Sequence, residues 1–570
     1  MHVNEKCGPN PANAARIRNL CCLVKNCGFF DLGYSGPAYT WTNKRFTTNP
    51  TFQRLDRCLA NVEWCTKFPR TTMFHLPMIY SDHTPILAIL DSHSQKAKKT
   101  FRFENWWLLK DDFSPIDANS WLQTASKPFH TQTKILATNI KTWRKKKKPL
   151  NQQLQQIEHQ MLQQQNLPLD KQNHKLQATL FQNHEALLTK DAIFHRQRVK
   201  KLWTTDGDQN TQFFQQAILK RDRKNRITHI LDAQGNSVVT SKDIANIFID
   251  YFQNLSASHL THAANPNEHS HPVTILEEYT MSALDEQEIL DLIREMKKNA
   301  SPGPDGLNVA FYRAAWPWIK QDIMELVTDF YIIGNLHPHL KTTCIVLVPK
   351  KNAPNHPQDF RPISLCNVIY KILAKSLANR LKMHLPDYIH ASQTAFIKGR
   401  RITTNIILAQ EIVHTFRLSA WKTKGFLIKI DLAKAFDRIE WNFLLHALRR
   451  QGFHGHFIDL VYQCISVPTF SVLINGQSHG RFQSQRGIRY GCPLSPYLFI
   501  LAINELSIRL QEALQQNQLS DISLGPNCPQ IHSLLYADDL IIYGKANHQK
   551  ATLINNVLLD FCSQSGQMPN

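Results

Sequence analysis

The sequence predicts a multidomain chain of α+β class, and three observations carry that prediction. The first is length: 570 residues exceed what one hydrophobic core organises, at about 100–200 residues per domain. The second is composition, since 42% hydrophobic and 10% aromatic residues suffice for packed cores and exclude wholesale disorder. The third is the order of periodicities: short β-type runs over 1–91, helical spacing over 92–280, and irregular alternation of helices with β-branched runs over 281–570. No run approaches the roughly 18 apolar residues of a membrane span, and Glu5, Lys6 and Asn10 interrupt any secretory core. The expectation is an intracellular protein with no membrane partner, nuclear or cytoplasmic.

Charge narrows the partners. With 66 Lys+Arg against 45 Asp+Glu the formal charge is +21 and the pI about 9.4, so the field attracts polyanions, of which nucleic acid is the commonest. Twelve cysteines without C-x₂-C pairs argue against a zinc site or a disulfide framework.

Taken in order, Ala38-Tyr39-Thr40-Trp41-Thr42 and Pro85-Ile86-Leu87-Ala88-Ile89-Leu90 are β-type runs, with Trp64 and Phe68 between them, and read as part of an α/β layer structure. The basic run Lys141 to Lys148 and the Gln-rich stretch Asn151 to Gln165 are nearly free of glycine and predict long amphipathic helices. Lys145 to Lys148 reads as a solvated helix face, with a phosphate contact or an import signal as the other reading. Positions 192–255 interleave Arg and Lys with aromatics such as Phe194, Trp203 and Phe213, which suits backbone neutralisation with base stacking, or equally an ordinary basic helix. Ser256 to Val273, with His259, His262, His269 and His271, reads as a linker rather than a metal site. Asp285 to Lys298 predicts a helix stopped by Ser301-Pro302-Gly303-Pro304-Asp305-Gly306; Thr343 to Pro349 predicts a strand, and Ile369 to His384 a helix with a basic face.

Two segments place acids at the ends of apolar strands. Gly425 to Ile430 runs into Asp431, and Leu534-Leu535-Tyr536-Ala537-Asp538-Asp539-Leu540-Ile541-Ile542-Tyr543 reads as a hairpin whose turn carries the acidic pair. Adjacent acids in an apolar run repel and raise each other's pKa. Divalent cations remove the conflict: three carboxylates on neighbouring strands suit two Mg²⁺ about 3.5–4 Å apart, the arrangement used in nucleotidyl transfer. For Asp538-Asp539 alone, a polar hairpin turn is the alternative.

These acids belong to a longer series of motifs. Tyr536-Ala537-Asp538-Asp539 resembles the signature box of reverse transcriptases. Ser301 to Gly306 resembles the family's opening box, and Val348-Pro349-Lys350-Lys351 with Asp359-Phe360-Arg361-Pro362-Ile363-Ser364-Leu365 its fingers. Gln393-Thr394-Ala395-Phe396-Ile397 with Gly399-Arg400 resembles the next block, and Gly487-Ile488-Arg489-Tyr490-Gly491-Cys492-Pro493-Leu494-Ser495-Pro496 the loop before the palm helix. The variety resembled is the plant LINE-type (non-LTR) retrotransposon, in which the linker reads much like Trp203-Thr204-Thr205-Asp206-Gly207-Asp208-Gln209-Asn210-Thr211-Gln212-Phe213-Phe214. The first 91 residues resemble the back half of the attached AP-endonuclease-like domain.

The resemblance implies right-hand polymerase fingers and palm over 281–570, a helical basic linker over 92–280, and a partial α/β endonuclease/exonuclease/phosphatase-type sandwich over 1–91. It implies an RNA-directed DNA polymerase that uses two Mg²⁺ or Mn²⁺ ions, dNTPs, an RNA template and a DNA primer. Asp431, Asp538 and Asp539 would be the catalytic metal ligands. Lys350 and Arg361 would hold the incoming triphosphate, Phe436 would exclude a ribose 2′-hydroxyl, and Tyr490 would face the nucleotide. In the endonuclease part, Ser81, Asp82 and His83 resemble the catalytic dyad region, with Asp56 orienting His83 and Thr40 on the neighbouring strand.

Three departures set further expectations. The family's upstream metal-binding Glu and Gly-Asp-Phe-Asn box have no counterpart before Asn4-Glu5-Lys6, so no nicking activity is expected and the sheet should expose a strand edge. Tyr490 stands where the family usually has Gln, and Cys492 where it often has Asp. The chain ends at Phe561 to Asn570, inside a block that in relatives leads into the thumb, so a palm without a thumb is expected. The rival reading is a degenerate, inactive retroelement fragment that at most binds RNA or single-stranded DNA. A group II intron maturase or telomerase-like protein is disfavoured by the Ser81-Asp82-His83 segment.

Overall fold

A computed structural model describes residues 2–34, 36–46, 48–68, 71–78, 81–90, 100–199, 217–218, 221–258, 282–351, 354–417, 425–466, 469–516 and 531–570. The Trp203 to Phe214 segment and the histidines His259, His262, His269 and His271 lie outside these residues. The chain divides into two compact units: Met1–Phe248 with Val346–Pro362 and Leu473–His479, and Ile249–Ile345 with Ile363–Val472 and Gly480–Asn570. Among the described residues no helix is long and apolar enough to cross a membrane, and the cysteines are free thiols.

In the first unit the β-runs form short antiparallel ladders. Trp41–Thr42 and Lys6–Cys7 flank Phe52–Gln53, Phe30–Asp31 pairs with Leu59–Ala60, and Thr72–His75 pairs with Ile86–Ile89. The run expected over Ala38 to Thr42 contracts to the strand Trp41–Thr42, and the Thr40 hydroxyl binds the loop at Leu55 and Asp56. Phe30, Leu32, Ala60, Cys65 and Met73 make the small core beneath these ladders. The helical part behaves as its periodicity predicts. Leu136, Ile140 and Trp143 fall on one face of helix Phe129–Lys145, and Trp143 packs edge-on to Phe113 and Trp107 at 5.1 and 6.0 Å between ring centroids. Pro149 breaks this helix from Leu150–Gln165, which buries only Leu150 and runs along His174–Val199. Lys145, Lys146 and Lys148 are exposed, while Lys147 pairs with Asp112.

In the second unit, Asp285 opens helix Glu286–Glu295 with a capping box, its carboxylate accepting from Glu288 N at 2.7 Å. The helix ends before Lys298 because the Arg313 guanidinium donates to the carbonyls of Ile293 (3.3 Å) and Met296 (2.7 Å), which a longer helix would need. The glycine of the following turn is required by a close approach: a Cβ on Gly303 would stand 2.4 Å from the backbone nitrogen of Asn367.

The elements around the acidic motifs are α1 (Val368–Tyr388), α2 (Ile402–Arg417), β1 (Gly425–Ile430), α3 (Ser495–Gln515), β2 (Ser533–Tyr536), β3 (Asp539–Lys545) and α4 (His548–Ser565). The strands form an antiparallel sheet in the order β1-β3-β2. One face is covered by α2, whose Leu408, Ile412 and Phe416 recur at helical spacing against Leu534, Ile541 and Tyr543. α3 is buried nearly all round from Leu498 to Ser507, as a core helix should be, and α4 runs along it.

Candidate active site

The acidic hairpin is tighter than the sequence suggests. Tyr536 pairs with Asp539, so the turn is Ala537-Asp538 and Asp539 opens the returning strand; the expectation that both acids lie in the turn is corrected by this register. Two-residue hairpin loops need φ > 0 at their first position, usually supplied by glycine. Here Ala537 adopts φ 57°, a conformation that costs a residue with a Cβ roughly 1–2 kcal/mol. Buried Gln393 accepts from Ala537 N at 3.0 Å, and the Leu535 carbonyl receives Thr394 N at 3.1 Å and Asn405 Nδ2 at 2.8 Å.

Asp431 directly follows Ile430, which pairs with Leu540, so Asp431 and Asp539 leave adjacent strands at neighbouring positions. The loop beyond Asp431 is held by the chain's last residues. Asn570 N donates to the Asp431 carbonyl (2.8 Å), Ala433 N to Met568 O (2.8 Å), and buried Gln567 Nε2 to Ala435 O (2.9 Å). Lys434 in that loop also has positive φ, 55°.

Electrostatics at this corner are in conflict. Burial, and then the neighbouring Asp539 and Asp431 charges, push the Asp538 carboxyl above its ordinary range. Lys429 places its ammonium 3.1 Å from Asp539 Oδ1, both side chains being more than half exposed. Among the described residues no three His, Cys, Asp or Glu side chains converge as a metal cage. The donor set is nonetheless three hard carboxylates at strand ends, one of them raised by burial and then by its neighbours, which is the chemistry that suits Mg²⁺ or Mn²⁺.

Phe436 and Tyr490 come together. The Phe436 ring stacks on buried Phe499 at 4.7 Å and 10°, and Tyr490 lies against it at 5.0 Å. Tyr490 is 43% exposed, so the pair has a buried floor and an open side. The loop is locked by Ile488 N to Phe436 O (2.8 Å) and by Gly487, whose φ of 88° and contact with the Asp437 carbonyl exclude a side chain. Cys492 is buried beside the Tyr370 hydroxyl, and burial raises its thiol. Lys350 and Arg361 are exposed and belong to the Val346–Pro362 segment of the first unit, whereas the three acids, Phe436 and Tyr490 belong to the second.

The N-terminal residues also assemble. His83 Nδ1 lies 2.8 Å from Asp56 Oδ2, Thr40 Oγ1 accepts from Asp56 N at 2.9 Å, and Ser81 Oγ accepts from His83 N at 3.0 Å. Asp82 takes the Trp41 indole N–H at 3.1 Å. The Asp56 hydrogen bond raises the His83 pKa; burial opposes but does not prevent the lowering of Asp56 by His83 and Thr40. Glu5 is taken up by Arg57 (2.9 Å) and Arg54 (3.0 Å).

Sequence reasoning did not assign roles to Gln393, Gln567 or Lys429. Gln393 opens a block that resembles the family's, but its partner Ala537 lies 144 positions away, so the block gives no sign of the contact.

Residues 348–568 match the family described as reverse transcriptase (RNA-dependent DNA polymerase), in agreement with the motif series. The chain is 27% identical over 65% of its length to an uncharacterized protein of transposon TX1 from Xenopus laevis, and 28% identical over 51% to the Pol polyprotein of retrotransposable element R2DM from Drosophila melanogaster. It spans only 28% and 26% of those two relatives. A solved telomerase from Candida albicans aligns over 40% of the chain at 13% identity, with a TM-score of 0.31 that is too low to bear on fold or function.

Proposed function

We propose that the chain carries the polymerase segment of a LINE-type (non-LTR) retrotransposon protein and acts as an RNA-directed DNA polymerase. One observation carries this reading: the reverse transcriptase match over 348–568 contains Asp431, Asp538 and Asp539, and these acids sit at the ends of adjacent strands, where burial and then the other two charges raise Asp538. Those three residues would hold two divalent ions, Mg²⁺ or Mn²⁺. Bound there, the ions would lower the pKa of the primer 3′-hydroxyl and neutralise the leaving pyrophosphate.

The chain's own residues supply the rest. The Phe436 ring, backed by Phe499, is rigid enough to block a ribose 2′-hydroxyl, and Tyr490 beside it would lie along the incoming nucleotide. Lys350 as a point charge and Arg361 as a fork would bind the triphosphate. A net charge of +21 favours an RNA template and DNA primer. We assign residues 281–570 to fingers and palm, 92–280 to the linker and 1–91 to an endonuclease-like remnant. A plant element as the source remains part of the proposal, resting on the linker motif alone.

Tyr490 in the Gln position favours a second reading, a remnant that binds nucleic acid without polymerising. Primer extension on poly(rA)/oligo(dT) with Mg²⁺ separates the two. Extension by the chain, abolished in Asp538→Asn/Asp539→Asn, supports the polymerase. Silence in the chain with recovery in Tyr490→Gln places the defect in the nucleotide pocket, and silence in both with salt-sensitive RNA binding leaves the binding remnant.

A further inference from the structure

We propose that Gln393 is a positioning residue for the acidic turn, holding Ala537 in its left-handed conformation so that Asp538 faces the other two carboxylates; this rests on the polymerase reading. The Gln393 side chain is 1% exposed and addresses both polar groups of one peptide unit's residue. Its Oε1 accepts from Ala537 N at 3.0 Å and from Ala395 N at 3.0 Å, and its Nε2 donates to Ala537 O at 3.4 Å. Ala537 is the residue whose φ of 57° the tight hairpin requires and whose Cβ disfavours it.

Gln393 can serve as a fixed point because its own backbone is tied on both sides. It makes a parallel bridge to Leu535, flanked by Leu535 N to Ser392 O (2.9 Å) and Thr394 N to Leu535 O (3.1 Å). Arg400 then gathers four carbonyls of the preceding turn: His390 (2.7 Å), Gln393 (2.8 Å), Ile389 (2.8 Å) and Pro386 (3.1 Å). The order of support runs from the Arg400 guanidinium through the Gln393 backbone and amide to Ala537 and so to Asp538. Strain of this kind persists only where the surroundings over-determine it. Without the amide, Ala537 relaxes toward negative φ, the turn changes type and Asp538 swings out of register with Asp539.

The test uses the full chain with Gln393→Ala, Ala537→Gly and the double variant. In primer extension, Gln393→Ala is expected to lower kcat about 100-fold, as small displacements of a reacting group do, while KM for dNTP stays within about threefold. Ala537→Gly removes the penalty on positive φ, so the double variant should recover to within about threefold of the parent kcat. Loss of kcat and thermal midpoint together with no recovery in the double variant would assign Gln393 to packing alone and overturn the proposal. Amide exchange gives an answer that does not depend on activity. In Gln393→Ala the Ala537 amide should exchange about tenfold faster, the weight of one hydrogen bond, with the Leu535 amide unchanged. If the parent chain fails to extend a primer, the polymerase reading fails, and exchange alone decides: unchanged protection at Ala537 would sink the positioning role.

Discussion

Two acidic clusters, one in each unit, are handled in opposite ways. In the first, Glu5 and Asp31 meet the guanidiniums of Arg54 and Arg57 at 2.8–3.1 Å, and Asp56 meets His83. Burial alone would raise Glu5, yet Arg57 and the His2 backbone hold it at about 2, and Arg54 likewise holds Asp31 below its ordinary value despite burial. In the second unit Asp538 is raised, by burial and then by Asp539 and Asp431. An acid whose charge is answered within the fold stabilises the place where it sits. Acids set against one another carry an electrostatic demand that only a cation from outside can meet, which is why the second set, and not the first, reads as chemistry.

The largest test of that contrast is Asp538→Asn with Asp539→Asn. Extension should fall by about 10³-fold or more, the scale of losing charge stabilisation at a reacting centre, while thermal stability holds or rises as repulsion is relieved. A fall in stability of the double variant would mean the acids are structural after all. Next is Arg54→Met in the first unit. Arg54 is only 5% exposed, and removing it leaves Glu5 and Asp31 short of a partner, so the first unit should lose about 3–5 kcal/mol in urea unfolding. The sign with pH follows. Glu5 is depressed from 4.5 to about 2, so its contribution is present above pH 4.5 and is lost as pH falls through about 2. Because Arg57 supplies that depression, Arg57→Met should flatten the Glu5 acid limb, whereas Arg54→Met should weaken the lowering of Asp31.

How much of this was readable from the sequence depends on range. Asp431, Asp538 and Asp539 are conspicuous because acids interrupt apolar runs, and the hairpin follows from the same alternation. The helix ending at Glu295 rather than Lys298 was not readable, because Arg313 caps it from the next helix. Nor was the split of the acidic pair between turn and strand, which depends on the Tyr536 to Asp539 register. Gln393 and Gln567 are the deeper omission. Each is an ordinary polar residue in its own segment and acquires a role only when the fold brings it to Ala537 or Ala435, 144 and 132 residues away.

A smaller effect is expected at His83. Asp56 raises it, so the pair's contribution is fully present below pH 6.5 and fades as pH rises through the higher folded value; on the acid side it fades as pH falls through the depressed Asp56 value. Titration of the His83 ring by NMR should show a pKa above 6.5 that returns toward 6.5 in Asp56→Asn. A His83 value indifferent to that change would remove the dyad from the set of answered charges.

The smallest effect is also the one that most sharpens the comparison. Lys429 and Asp539 approach to 3.1 Å, but with 63% and 55% of their side chains exposed the pair is worth about 0–1 kcal/mol. Lys429→Met should therefore leave the thermal midpoint nearly unmoved. If the ammonium is a resident counter-charge that an incoming cation must displace, its removal should lower the Mg²⁺ concentration for half-maximal extension by about two- to fivefold, the equivalent of that energy. An unchanged or higher Mg²⁺ requirement would instead show that the ammonium does not compete with a cation at Asp539, so that the Lys429 contact is a surface ion pair without bearing on the acidic cluster.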